Sequence, residues 1–118
     1  MGELRVVRHT DRFTEGCRFY GDLLGWPVTK EWDDPAPGRI FGYGDSARID
    51  LLAVGAHTAD PTCGLVSVEV ADIAAVHAVL AGAGIEIAQA LADQPWGHRN
   101  FGVVDPTGMT VVFFQVIA

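Results

Sequence analysis

Apolar residues recur along the chain with two periods, that of a strand and that of a helix. Each half opens with a short strand that ends before an aspartate, Asp11 or Asp72, and we expect each aspartate to cap the next helix. The helical stripes that follow are Phe13, Cys17, Tyr20 and Leu24 in the first half, and Ile73, Val76, Val79 and Leu80 in the second. Glycines after each stripe, Gly25 and the Gly82/Gly84 pair, predict the helix ends.

Three further strands are predicted in each half. They are Val28–Trp32, Arg39–Tyr43 and Ala47–Val54, then Ile85–Ala88, Arg99–Val104 and Thr110–Ile117. The two prolines of Asp34–Gly38 exclude that segment from a central strand, and Asp105–Gly108 matches a type I turn. The chain is thus predicted to be α+β, a βαβββ–βαβββ repeat with helices on one face of the sheet. The modules are expected at about 1–56 and 63–118 of a single domain, with a linker at 57–62.

Alternate residues of a strand share a face, so the faces can be compared. One face carries apolar sets suited to pack the helices: Ile49 and Leu51; Val66, Val68 and Val70; Val111 and Phe113. The opposite face is mixed: Arg48, Asp50 and Leu52; Leu65, Ser67 and Glu69; Thr110, Val112 and Phe114. We interpret the mixed face as the lining of a ligand site, with an ordinary solvated face as the alternative.

The amino-acid composition limits the classes of partner that the protein could bind. The 118 residues suit one domain, and 15 acidic against 8 basic residues give a net charge of −7. Lys30 is the only lysine, so clustered contacts to nucleic-acid phosphates are not expected. No apolar run is long enough for a bilayer and the N-terminus does not resemble a secretion signal, so we expect a soluble cytoplasmic protein without a membrane partner. Cys17 and Cys63 form no Cys-x-x-Cys motif and are expected to be free, buried thiols.

Two segments, RFYGDLLGW at Arg18–Trp26 and PWGHRNFGVVDPTGMTVVFF at Pro95–Phe114, together with the paired modules, resemble the glyoxalase/bleomycin resistance/dioxygenase (vicinal oxygen chelate) superfamily. The resemblance covers nearly the whole chain. It implies a mixed sheet curled into a half-barrel cup, with the helices on the outer face. Because proteins with this fold have several different functions, the residues of the site must be used to distinguish between those functions.

In enzymes of this superfamily, the resemblance places four metal ligands on the first and last strands of the modules. Here those positions fall on Leu65 and Val112, on Asp50, and on either Leu4 or Arg5. Only Asp50 offers a ligand atom, whereas a metal site needs three or four donors. We therefore expect no metal and no other cofactor. A displaced site built from His9, Asp50 and Glu69 is the alternative.

The chain then resembles the drug-binding, bleomycin-resistance-like branch, whose members are small acidic dimers that sequester an antibiotic. This implies a metal-free protein that binds a small planar or aromatic molecule in a groove at a homodimer interface. Trp96 of the PWG motif and Phe101 are expected to line that groove. The other candidate ligand-binding residues are His9, Trp32, Phe41, Tyr43, Asp50, Leu52, Glu69, His98, Val112 and Phe114.

Two other functions fit the same resemblance. One is an enzyme of the superfamily, a lyase, isomerase or dioxygenase, with a degenerate or displaced metal site. Glu69 and Asp50 are then candidates for a carboxylate pair in acid–base chemistry. The other is a binding module of a biosynthetic pathway.

Overall fold

The structure is a computed structural model that describes residues 2–55, 58–62 and 64–118. The chain divides into two compact units, Met1–Pro61 and Thr62–Ala118. The predicted βαβββ order is confirmed in both, as is the α+β class: each unit has one mixed four-stranded sheet. The expectations for His57 and Cys63 lie outside the described residues. No helix in the described part of the chain is long and apolar enough to cross a membrane.

In the first unit, β1 (Leu4–Thr10) is followed by α1 (Phe13–Cys17), which continues as a π-helical turn at Arg18–Leu23. The strands β2 (Val28–Trp32), β3 (Gly38–Tyr43) and β4 (Ala47–Ala53) complete the sheet. Its strand order is β1-β4-β3-β2, with β1 parallel to β4.

The expected N-cap of the first helix is wrong by one residue. Arg12 occupies the cap position, and its side chain makes no capping hydrogen bond. The Arg12 backbone N–H donates instead to Thr10 Oγ1 at 2.9 Å. The Thr10 hydroxyl, at the end of β1, therefore accepts a backbone N–H at the start of the helix, a role that we expected the Asp11 carboxylate to fill.

The second unit repeats the order with β5 (Leu65–Glu69), α2 (Ile73–Gly82), β6 (Ile87–Asp93), β7 (His98–Val104) and β8 (Thr110–Val116). Its strand order is β5-β8-β7-β6, with β5 parallel to β8. Asp72 is the N-cap of α2, as predicted, and accepts the Ala75 N–H at 3.1 Å.

The sixth strand begins later than its predicted start at Ile85. The Ile85 N–H bonds to the Leu80 carbonyl at 3.0 Å, and the Gly84 N–H bonds to the Ala81 carbonyl at 3.1 Å. With Gly84 at a φ of +79°, these two bonds form a Schellman cap. Because the Ile85 N–H is used in this cap, Ile85 belongs to the end of the helix, and β6 begins two residues later at Ile87.

The predicted helix-side sets form the cores of the two units. Ile49 and Leu51 are buried in the first unit, and Val68, Val111 and Phe113 in the second, whereas Val66 and Val70 are half-buried. Cys17 is also buried, and desolvation raises the pKa of its thiol.

The Asp105–Gly108 turn is confirmed, because the Gly108 N–H bonds to the Asp105 carbonyl at 3.0 Å.

Candidate functional site

One row of side chains crosses the first sheet on the face opposite α1, which we call helix-distal. Strand pairing places His9 beside Leu52, Leu52 beside Gly38, and Gly38 beside Trp32. The other side of the sheet faces the helix, where the Tyr20 and Phe41 ring centroids are 6.1 Å apart. The row thus brings three predicted site residues, His9, Leu52 and Trp32, to the same face.

These three residues line a pocket of about 190 Å³. Its full lining is His9, Trp32, Pro35, Ala36, Pro37, Leu52 and Ala53. The prolines come from the predicted β2–β3 loop. Asp60 holds His9 in place, because its Oδ2 accepts the His9 backbone N–H at 2.8 Å and lies 3.7 Å from His9 Nδ1. The lining contains no carboxylate, lysine or arginine.

A larger pocket, of about 270 Å³, lies on the other side of β2 and is lined by Phe13, Glu31, Trp32, Asp33 and Arg39. Two of its three charged side chains are already paired, since Arg39 Nε lies 3.1 Å from Glu31 Oε2. The Arg39 guanidinium also lies 5.9 Å from the centre of the Phe13 ring. We therefore place the candidate site in the smaller pocket, where the predicted residues meet.

Asp50 lies on the helix-distal face in the row next to the pocket, paired with Val7 and Ile40. It is 8% exposed, and its Oδ2 accepts a hydrogen bond from Arg5 Nη1 at 3.2 Å. Its Oδ1 is buried and makes no hydrogen bond within the described residues. The hydrogen bond to Glu3 and then the charge of Asp50 raise the pKa of the Arg5 guanidinium. Asp50 is thus held by an arginine and keeps one unused acceptor.

The helix-distal face of the second sheet carries four more predicted residues. Glu69 pairs with Phe114 across β5 and β8, and Val112 lies two residues before Phe114. The His98 imidazole stacks on the Phe114 ring, with centroids 4.4 Å apart and planes 12° from parallel.

Trp96 lies in the turn between β6 and β7, and its side chain is 64% exposed. Gly97 follows at a φ of +87°, and its N–H bonds to the Gln94 carbonyl at 3.1 Å. The turn therefore presents the indole outside the core of its unit, as the groove hypothesis requires.

Three expected lining residues lie instead on the helix side of their sheets. Phe41 is buried, and Tyr43 packs on Trp26 with ring centroids 4.6 Å apart. Phe101 is 0% exposed between Phe113, at 5.3 Å, and His77 on α2, at 4.9 Å. The physical reason is strand phase: residues of odd number on β3 and β7 point toward the helix. We remove these three from the proposed site.

The positions that the resemblance assigns to metal ligands do not fit a metal ion. The register shows that Arg5, and not Leu4, shares a face with Asp50, so a guanidinium lies where a ligand is needed. Leu65 and Val112 share the corresponding face of the second sheet and carry no donor atom. Within residues 2–55, 58–62 and 64–118, no three His, Cys, Asp or Glu side chains form a metal-binding group.

Sequence reasoning missed two features of the site. Arg5 was considered only as a failed ligand, because its pairing with Asp50 joins residues 45 positions apart. Gly38 was treated as part of a loop, although it is the first residue of β3. A glycine inside a predicted strand does indicate a close approach, and here Trp32 is what approaches.

The sequence pattern of the glyoxalase/bleomycin resistance protein/dioxygenase superfamily matches residues 4–113. Since that is most of the chain, the protein belongs to this superfamily. No curated protein matches the chain at a significant level.

Several solved structures have the same fold. TioX from Micromonospora sp. ML1 has a TM-score of 0.82 at 19% identity, over 99% of this chain and 100% of its own. TnmS3, an antibiotic binding protein from Streptomyces sp. CB03234, has a TM-score of 0.78 at 16% identity, over 98% and 96%. A lactoylglutathione lyase from Agrobacterium tumefaciens has a TM-score of 0.72 at 17% identity, over 98% and 92%. At these identities the likeness shows the fold alone, and it includes both a binding protein and an enzyme.

Proposed function

We propose that the chain is a metal-independent binding protein of the drug-binding branch, which takes up a small planar or aromatic antibiotic or natural product. The observation that carries the proposal is the Arg5–Asp50 ion pair, at 3.2 Å, on the face to which the resemblance assigns metal ligands. An arginine beside the carboxylate competes with any cation for it, and Leu65 and Val112 add no donors. Without a metal ion the site has no Lewis acid to polarise a substrate, but the pocket for a small molecule is still present.

The pocket supports the binding role. It combines an indole, an imidazole, two prolines and a leucine, which is the apolar and aromatic lining typical of small-molecule sites. Because Arg5 already balances the charge of Asp50, we propose that Asp50 accepts a hydrogen bond from the ligand rather than neutralising a ligand cation. The fold shared with an antibiotic binding protein is consistent with this role.

We also propose that the working form is a homodimer, with the groove completed at the interface and Trp96 contributing to it. An indole that is 64% exposed loses water when a ligand or a partner covers it, which favours its use in binding. We also propose the helix-distal residues of the second unit, Glu69, His98, Val112 and Phe114, as ligand-binding residues.

The proposal is tested by two measurements on the purified protein. Metal analysis should find no stoichiometric nickel, zinc, iron or manganese. A thermal-unfolding screen of antibiotics and cytotoxic natural products should find a ligand that stabilises the protein, by about 2.7 kcal/mol at a hundredfold excess over Kd. Trp32→Ala should remove that stabilisation, whereas Val79→Ala on the exposed side of α2 should retain it.

Stoichiometric metal in the purified protein, lost on substitution of Asp50, would contradict the proposal and favour an enzyme of the superfamily. A complete screen without any stabilising planar compound would contradict it as well.

A further inference from the structure

Gly38 lies between Leu52 and Trp32 in the row that forms the floor of the pocket. A Cβ atom built on Gly38 would overlap the Trp32 indole at Cζ2 and Cε2, and would lie 2.9 Å from Nε1. Real Cβ atoms essentially never approach other heavy atoms this closely. The indole therefore lies against the backbone of β3 because residue 38 has no side chain.

The position of the indole sets the shape of the pocket. Trp32 forms one wall, and His9 and Leu52 continue the same row on β1 and β4. Any side chain at residue 38 pushes the ring away from the strand, toward or across the space that a ligand would occupy. A change at Gly38 is thus a change in the wall, although Gly38 is not itself a lining residue.

The pocket is open to solvent, so its volume of about 190 Å³ indicates the size of the group that it can hold and not the size of the whole ligand. An apolar protein cavity of about 150 Å³ accommodates a benzene molecule, so this pocket suits one ring or a pair of fused rings. The lining has no side chain with a permanent charge, and His9 is its one titratable group. Flat aromatic and proline surfaces favour a flat, uncharged guest.

We propose that this pocket is a subsite for one uncharged, planar system of one or two rings, and that Gly38 is the positioning residue that sets the Trp32 wall. The inference rests on the proposed binding function and names the part of the ligand that this unit recognises. It makes Gly38 a determinant of ligand specificity.

The test uses 2-naphthol, a planar bicyclic probe that is uncharged at neutral pH. Decahydro-2-naphthol is its match, with the same carbon skeleton and hydroxyl but no planar rings. Binding is followed on the full chain through the indole N–H resonances of the three tryptophans in ¹H–¹⁵N spectra. The Trp32 resonance is assigned by its absence in Trp32→Ala.

We expect 2-naphthol to shift the Trp32 resonance saturably and to bind about tenfold more tightly than decahydro-2-naphthol. Gly38→Ala should weaken 2-naphthol binding by about tenfold and should move the Trp32 resonance in the free protein. Gly82→Ala is the matched control, because a Cβ there meets nothing within 4 Å. It should leave both readouts unchanged.

A double variant separates positioning from a general loss of structure. In a Trp32→Ala background the Trp32 resonance is absent, so binding of 2-naphthol is followed there through the backbone amide resonances of His9, Leu52 and Ala53. If Gly38 acts through Trp32, Gly38→Ala should have no further effect on that residual binding. The same background removes the overlap, so the double variant should fold even if Gly38→Ala alone does not.

The proposal is overturned if Gly38→Ala binds 2-naphthol as the unchanged protein does, or if the two probes bind equally well. It is also overturned if the probe shifts the Trp26 or Trp96 resonance instead of that of Trp32. Failure of the proposed function looks different: the 2-naphthol pattern is intact, but no antibiotic or natural product stabilises the protein.

Discussion

Trp96 and Phe101 are five positions apart in sequence, yet their side chains have opposite surroundings. The Trp96 side chain is 64% exposed in a turn, whereas Phe101 is 0% exposed between α2 and β8. Burial, and not residue type, decides how much of the free energy of unfolding an aromatic side chain contributes.

We expect Phe101→Ala to lower the free energy of unfolding by about 3–5 kcal/mol, because it leaves a cavity in a packed core. Trp96→Ala should change it by less than about 0.5 kcal/mol, while weakening ligand binding by roughly 1–3 kcal/mol if Trp96 lines the groove. Urea unfolding of the two variants without ligand measures the first effect. A large drop in the urea midpoint of Trp96→Ala would show that this indole supports the fold.

At the scale of an element, the second helix depends on its C-terminal cap. Gly84 adopts a φ of +79°, a conformation that an alanine adopts only with strain. Gly82, two residues earlier, is the last residue of α2, has no positive φ, and is open around its Cα. The two glycines therefore differ in backbone conformation, although both lie at the C-terminal end of α2.

We expect Gly84→Ala to lower the free energy of unfolding by about 1 kcal/mol, and Gly82→Ala to leave it unchanged or raise it. Thermal or urea unfolding of the pair measures the difference. Equal effects of the two substitutions would mean that the cap adds nothing to stability.

The β6–β7 hairpin carries an ion pair that makes its stability depend on pH. Arg99 Nε and Nη2 donate to Asp93 Oδ1 and Oδ2 at 2.6 and 3.2 Å, from directly opposite positions of the two strands. The hydrogen bond from Arg99 lowers the pKa of the Asp93 carboxyl below its ordinary value of 3.8. Both groups are at the surface, so salt screens the pair.

Because the pKa of Asp93 is lower in the folded state, the pair stabilises fully above the unfolded pKa of about 3.8 and is lost as the pH falls through the folded value. We expect the stability difference between the unchanged protein and Asp93→Asn to shrink below about pH 4, and to shrink in high salt at neutral pH. Unfolding measured from pH 7 to pH 2.5 tests this. Asp11→Asn is the control, since Asp11 makes no ion pair within the described residues. A difference that stays constant with pH would refute the assigned role.

At the scale of the whole molecule, we expect a homodimer with two-fold symmetry, the commonest arrangement of soluble oligomers. One chain has a mass of 12.6 kDa, so sedimentation equilibrium at micromolar concentration should give twice that value. A ligand that binds at the interface should also lower the dissociation constant of the dimer, by linkage. A mass of one chain, with and without ligand, would contradict the proposed groove between subunits.

The order of strands and helices could be read from the sequence because it depends on local chemistry. The Asp72 cap and the Asp105–Gly108 turn each involve residues within a few positions of one another, and both are present in the structure. The predicted stripe of α2 is buried at Ile73 and Leu80, but its member Val79 is 46% exposed. Such features are decided by hydrogen bonds and rotamers that the neighbouring residues impose. The metal-ligand positions could also be judged from the sequence, because Leu65 and Val112 carry no donor atom in any conformation.

Strand phase and long-range pairing were decided only by the tertiary structure. A shift of one residue in a strand moves a side chain to the other face, so Phe41 and Phe101 pack against helical residues, and Tyr43 against Trp26, instead of lining a site. Pairing between distant strands brings Arg5 to Asp50, and places His9, Leu52 and Trp32 in one row over Gly38. Residue spacing does not show that β1 pairs with β4, because these two strands are far apart in the sequence. The pocket therefore exists only once the sheet has formed.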